Sequence, residues 1–87
     1  MSEPVARKGD PISHGGVIIE GDSTFKVNGI DVARVGDLAL CSMHGPQPIV
    51  QGSSTVKSSG KEVSYRGALI ACGAVISDGS PDTNVGT

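Results

Sequence analysis

Apolar residues in this chain come in short bursts closed by turn residues, and no stretch of ten or more carries them at helical spacing. Val17-Ile18-Ile19 is too short for a helix and rich in β-branched side chains, so it predicts a strand. Phe25 and Val27 alternate with Lys26, and Ile30 and Val32 with Asp31, on either side of Asn28-Gly29. Strict alternation about an Asn-Gly pair predicts a half-buried β-hairpin. A second hairpin is expected about Ser59-Gly60, between Thr55-Val56-Lys57 and Glu62-Val63-Ser64, and Ala74-Val75-Ile76 predicts a further strand. Leu38-Ala39-Leu40 is apolar but short, and sits between Gly36-Asp37 and a cysteine, so at most one helical turn is expected there.

The bursts repeat. Pro4-Val5-Ala6-Arg7-Lys8-Gly9-Asp10 is echoed by Asp31-Val32-Ala33-Arg34-Val35-Gly36-Asp37, and Val17 to Thr24 by Pro48 to Thr55. A third copy, Glu62-Val63-Ser64-Tyr65-Arg66-Gly67-Ala68, keeps the valine and glycine, moves the arginine by one place and loses the aspartate. Its own strand and turn follow at Ala74 to Ser80, and Asp82-Thr83-Asn84-Val85 then opens a hairpin with no return strand after it. Pro4-Val5-Ala6-Arg7 lacks a hairpin partner too, so the two ends are expected to pair near Val5 and Asn84 and close a three-lobed, all-β ring of pseudo-threefold symmetry.

The repeat also carries the chemistry. Gly9 to His14, Gly36 to Cys41 and Gly67 to Cys72 each run five residues from a glycine to a side chain that binds metal. About a pseudo-threefold axis those three converge at one end, and His44, three residues past Cys41, reaches back as a fourth. Two Cys and two His complete a tetrahedral zinc shell and use every cysteine and histidine in the chain. The competing readings are small buried cysteines with surface histidines, and a Cys41–Cys72 disulfide. The N-terminus shows no apolar signal-peptide core, so cytosolic synthesis favours thiolates. Met43, between two proposed ligands, reads as apolar filler rather than a copper ligand.

Composition makes a staple necessary. The 87 residues hold one tyrosine, one phenylalanine, no tryptophan and 13 glycines, so the core is thin and the entropy lost on folding large. A structural zinc offsets both. The formal charge of −2 is scattered, with no basic face for nucleic acid and no apolar run long enough to span a membrane. Four protein ligands leave no open position for a hydrolytic water, so no enzyme is expected. The expectation is one domain over residues 1–87 with a single structural Zn²⁺ held by His14, Cys41, His44 and Cys72.

The repeated Pro4-Val5-Ala6-Arg7 and Asp31-Val32-Ala33-Arg34, each followed by x-Gly-Asp, resemble the Pro-Ala-Ala-Arg repeat of the PAAR family. Ser13-His14-Gly15-Gly16, Cys41-Ser42-Met43-His44-Gly45 and Val27-Asn28-Gly29 are similar to that family's signatures. Valine stands for the first alanine in two copies, and the third lacks the motif. The resemblance implies a small conical domain of short β-hairpins with zinc at its apex. By the same resemblance it would cap and sharpen a trimeric VgrG-type spike of a type VI secretion system, or a related phage-tail spike, and help to pierce the target envelope. It would be made in the bacterial cytoplasm, leave on the spike without inserting stably in a membrane, and carry any toxic effector as a separate docked protein, since no fused effector domain is expected. Arg7, Arg34 and Arg66 are candidates for internal bonding or for the spike contact, whose residues are otherwise unknown. The alternative is a stand-alone zinc-binding or metal-carrier protein.

Overall fold

The computed structural model describes residues 2–80 and 83–86, and among these there is no helix. The strands are β1 (Ser2–Pro4), β2 (Val17–Ile18), β3 (Asp22–Val27), β4 (Ile30–Val32), β5 (Leu38–Cys41), β6 (Gly45–Pro48), β7 (Lys57–Ser58), β8 (Lys61–Glu62) and β9 (Asn84–Gly86). All pairings are antiparallel: β3 with β4, β7 with β8, β1 with β9, and a three-stranded sheet in the order β2-β5-β6. Residues 5–31, residues 32–62, and residues 63–80 and 83–86 with residues 2–4 form three lobes.

A closed circuit of three backbone hydrogen bonds relates them. The N–H of Ala33 donates to the carbonyl of Ala6 (3.0 Å), that of Ser64 to Ala33 (2.9 Å), and that of Ala6 to Ser64 (3.1 Å). Around this ring the bridges run Arg7 to Val32, Arg34 to Val63 and Val5 to Tyr65, so each lobe hands on to the next and the third returns to the first. Small side chains are required at the centre, and Ala6, Ala33 and Ser64 are all fully buried. Gly9, Gly36 and Gly67 occupy the same left-handed turn, at φ +93°, +93° and +94°, where a side chain is strained. Their N–H groups donate to Ile18, Ile49 and Ile76.

These isoleucines, with Val5, Ile12, Val32, Val63 and Ile70, make the core. Replacing the fully buried Ile70 by alanine is expected to cost about 2–5 kcal/mol, read as a lower midpoint in urea unfolding.

The Asn28-Gly29 and Ser59-Gly60 hairpins form as expected, with Asn28 at φ 55° and Ser59 at φ 51°. The chain ends pair through Ser2–Gly86, Glu3–Val85 and Pro4–Asn84, and the Val5 N–H donates to the Thr83 carbonyl (2.9 Å). Asp82, placed by sequence in the last strand, lies outside the described residues. Two local expectations differ. Leu38-Ala39-Leu40 is not a helical turn but most of β5, because it pairs on one side with β2 from the first lobe and on the other with β6. Ala74-Val75-Ile76 makes single bridges, Val75 to Leu69 and Ile76 to Ile12, and no strand, since the chain there crosses between lobes instead of running along one.

Polar side chains lock the lobes. The Asp10 and Asp37 carboxylates accept from the backbone N–H groups of Arg7 (2.7 Å) and Arg34 (2.8 Å), and from the same arginines' side chains. Arg7 and Arg34 are therefore internal, whereas Arg66 is exposed and pairs with Glu3 at 3.3 Å. Buried Asp22 bridges two lobes: it accepts from the Ser58 and Ser59 hydroxyls and from Thr24, and lies 3.4 Å from Arg34. The Ser58 hydroxyl foremost, then Thr24, hold its carboxyl well below the usual range. A depressed carboxylate contributes stability that is fully present above the unfolded value, about 3.9, and is lost only as pH falls through the lower folded one. Asp22→Asn is thus expected to destabilise by the same amount at pH 7 and pH 5 in paired urea melts; a gap that shrinks by pH 5 contradicts this assignment.

Candidate metal centre

The first and third lobes present their candidate ligands on one backbone device. In the first, the Ile12 N–H donates to the Gly16 carbonyl (3.0 Å) and Gly15 to Ile12 (3.2 Å), a tight turn that carries His14. In the third, Ile70 donates to Ala74 and Gly73 to Ile70, both at 2.8 Å, and the turn carries Cys72.

The second lobe is four residues longer between its Gly-Asp and its isoleucine. The extra chain folds back as the β5–β6 ribbon, where Cys41 pairs with Gly45 and Ser42, Met43 and His44 form the tip. Cys41 closes β5, and the His44 N–H donates back to its carbonyl at 3.3 Å. Met43 points outward, 74% exposed.

All four side chains named from sequence arrive at one place. The Cys41 Sγ lies 3.4 Å from His14 Nδ1 and 3.3 Å from His44 Nδ1, and the Cys72 Sγ lies 3.8 Å from His14 Nδ1. The four atoms all fall within 4.8 Å of one another. A tetrahedral zinc with its usual bond lengths separates sulfur from nitrogen by roughly 3.5 Å, so the donor set and its spacing fit such an ion. The cysteines are free, and among the described residues no carboxylate belongs to the cluster. The imidazole rings are 6.0 Å apart, centroid to centroid, and tilted by 37°.

Cys41 is buried, which by itself pushes its thiol up. Hydrogen bonds from His44, the Met43 N–H, His14 and Cys72 outweigh that, and the thiol is lowered to about 6. A site that favours the thiolate is one prepared for a cation. Two further residues hold the loops together: the Ser42 hydroxyl donates to the His14 carbonyl, and the amide of Gln47, which carried no sequence signal, to the His44 carbonyl (3.3 Å). Gly16, the last residue of the Ser13-His14-Gly15-Gly16 stretch, lies flat against the Leu40 carbonyl beside Cys41.

Compared with curated proteins, the chain matches none. The family model for the PAAR motif matches residues 8–78, which spans the ring residues of the second and third lobes, Ala33 and Ser64, and all four clustered side chains. The chain belongs to the PAAR family, whose members are structural spike-tip proteins of type VI secretion systems.

Proposed function

We propose that this protein caps the blunt end of a trimeric VgrG-like spike, one tip per trimer, and that a single structural Zn²⁺ bound by His14, Cys41, His44 and Cys72 keeps the tip rigid. The observation that carries this reading is the closed ring of Ala6, Ala33 and Ser64, which gives one chain the symmetry of a three-chain partner. Each lobe contributes one short ribbon, β3–β4, β7–β8 or β1–β9, and the strand edges of such ribbons are suited to continuing another protein's sheets. Zinc would supply folding energy and no reaction, since four protein donors complete its shell. A metal carrier would need exchangeable ligands, whereas here the donors are drawn from all three lobes.

The same reading has the protein made in the cytoplasm, leaving on the spike, and taking effectors as separate docked partners. The test is to mix the zinc-loaded protein with a purified trimeric spike and measure the mass of the complex. One tip per three spike chains is the expected result; no complex, with the metal retained, would reject the cap and leave a stand-alone metal protein.

A further inference from the structure

Charged side chains are segregated along this protein. Between Asp10 and Glu20, between Asp37 and Lys57, and between Arg66 and Asp78 the sequence has no Asp, Glu, Lys or Arg, and these three stretches carry His14, Cys41 with His44, and Cys72. A divalent ion on two thiolates and two neutral imidazoles adds no net charge to them. Directly behind each ligand turn lies one apolar cross-strand pair: Pro11 with Val17, Leu38 with Pro48, and Leu69 with Val75. Leu38 is half-buried and the other five are exposed. One pair per lobe puts a belt of apolar side chains around the whole domain. We propose that this charge-free end is a lipid-contacting surface, whose belt enters the acyl-chain region of a bilayer reversibly, metal end first.

Two observations select hydrocarbon over a folded partner. The first is that polar groups at this end are bonded within the chain even where water reaches them. The Leu38 N–H donates to the Glu20 carboxylate, the Leu69 N–H to the Gln51 side-chain carbonyl and the Val75 N–H to the Ser13 hydroxyl, each at 3.0 Å. Pro11 and Pro48 have no N–H to satisfy. The hydroxyls of Ser42 and Ser77 are turned onto the carbonyls of His14 and Pro11. Water would satisfy such groups unaided, whereas hydrocarbon makes every unpaired one costly. Charge resumes at Glu20 and Asp78, each two residues past a core isoleucine, which marks the border of the zone. The second observation is reach. A globular partner with the usual footprint of about 800 Å² would cover about a fifth of the 4206 Å² surface, and so one lobe's pair, leaving the others in water. Acyl chains meet all three sides at once. The proposal rests on the metal filling the cluster and is independent of the spike.

The experiment floats the zinc-loaded full chain with vesicles of phosphatidylcholine, whose headgroup has no net charge, at low and high salt. Zinc content and melting temperature are read on the same samples, so a failed metal site is distinguished from failed lipid contact. The wild type is expected to float with the vesicles equally at both salt concentrations. Leu69 and Val75, 43% and 37% exposed, are replaced together by aspartate, and flotation should fall at least about 10-fold with zinc retained. Phe25→Asp is the control: Phe25 is equally exposed, at 37%, but lies on the β3–β4 ribbon beside Lys26 and Asp31, and flotation should stay within about 2-fold. Orientation is read separately with Met43→Trp, the only tryptophan the chain would hold, which vesicles brominated on their acyl chains should quench. No flotation of the zinc-loaded wild type would overturn the proposal and leave the belt to a protein partner. Equal losses for Phe25→Asp and the belt variant, a requirement for charged lipid, or an unquenched Met43→Trp would each overturn it as well.

Discussion

Removing the metal from the purified protein, or removing one ligand by Cys72→Ala, is expected to abolish the cooperative thermal transition near neutral pH. A structural zinc of this donor type contributes on the order of 10 kcal/mol to folding. The whole stability of a domain this size is about 5–10 kcal/mol. The core gives little in reserve, since its largest fully buried side chains are isoleucines and the only phenylalanine, Phe25, is exposed. Elemental analysis should find one zinc in the wild type and less in the variant, with melting temperature falling in step. A variant with full zinc content and an unchanged melting temperature would remove Cys72 from the shell.

The second large effect is expected at Gly16→Ala. A Cβ built there would lie 1.5 Å from the Leu40 carbonyl oxygen and 2.7 Å from its carbon. That carbonyl belongs to the middle strand of a three-stranded sheet, paired with Val17 and Pro46, so it cannot swing aside without dragging β5 and Cys41 with it. Overpacking against backbone should cost at least about 3 kcal/mol, or a fall of at least about 12 °C in melting temperature, together with weaker metal retention. Gly45→Ala is the control. Its Cβ would meet nothing within 4 Å, and only the positive φ of +75° is strained, so about 1 kcal/mol is expected with metal content unchanged. Equal costs for the two variants would mean that the contact at Gly16 relaxes.

The cluster and the lobes were legible in the sequence because both rest on a count. Glycine five residues before His14, Cys41 and Cys72 marks one turn used three times, and the backbone confirms it with near-identical φ values. Equivalence survives even where side chains changed. Tyr65 and Ala68 replace Arg and Asp, yet Ala68 N–H still donates to the Tyr65 carbonyl (3.1 Å), as Asp10 does to Arg7 and Asp37 to Arg34 (both 3.0 Å). What the sequence hid was everything that passes between lobes. Strand β5 looks like an isolated apolar triplet because its partner β2 belongs to another repeat. Asp22 reads as ordinary turn chemistry, since a bond to Ser58, 36 residues away, leaves no local pattern. Gly16 could be quoted as part of the Ser13-His14-Gly15-Gly16 stretch, but its nearness to a carbonyl of the neighbouring lobe, which forbids a side chain there, leaves no local pattern.

The central claim, that one ion ties the three lobes together through four named side chains, is tested most directly by zinc-edge X-ray absorption on the purified protein. Two sulfurs at about 2.3 Å and two nitrogens at about 2.0–2.1 Å are expected. A shell of light atoms only, or of more than four donors, would contradict it.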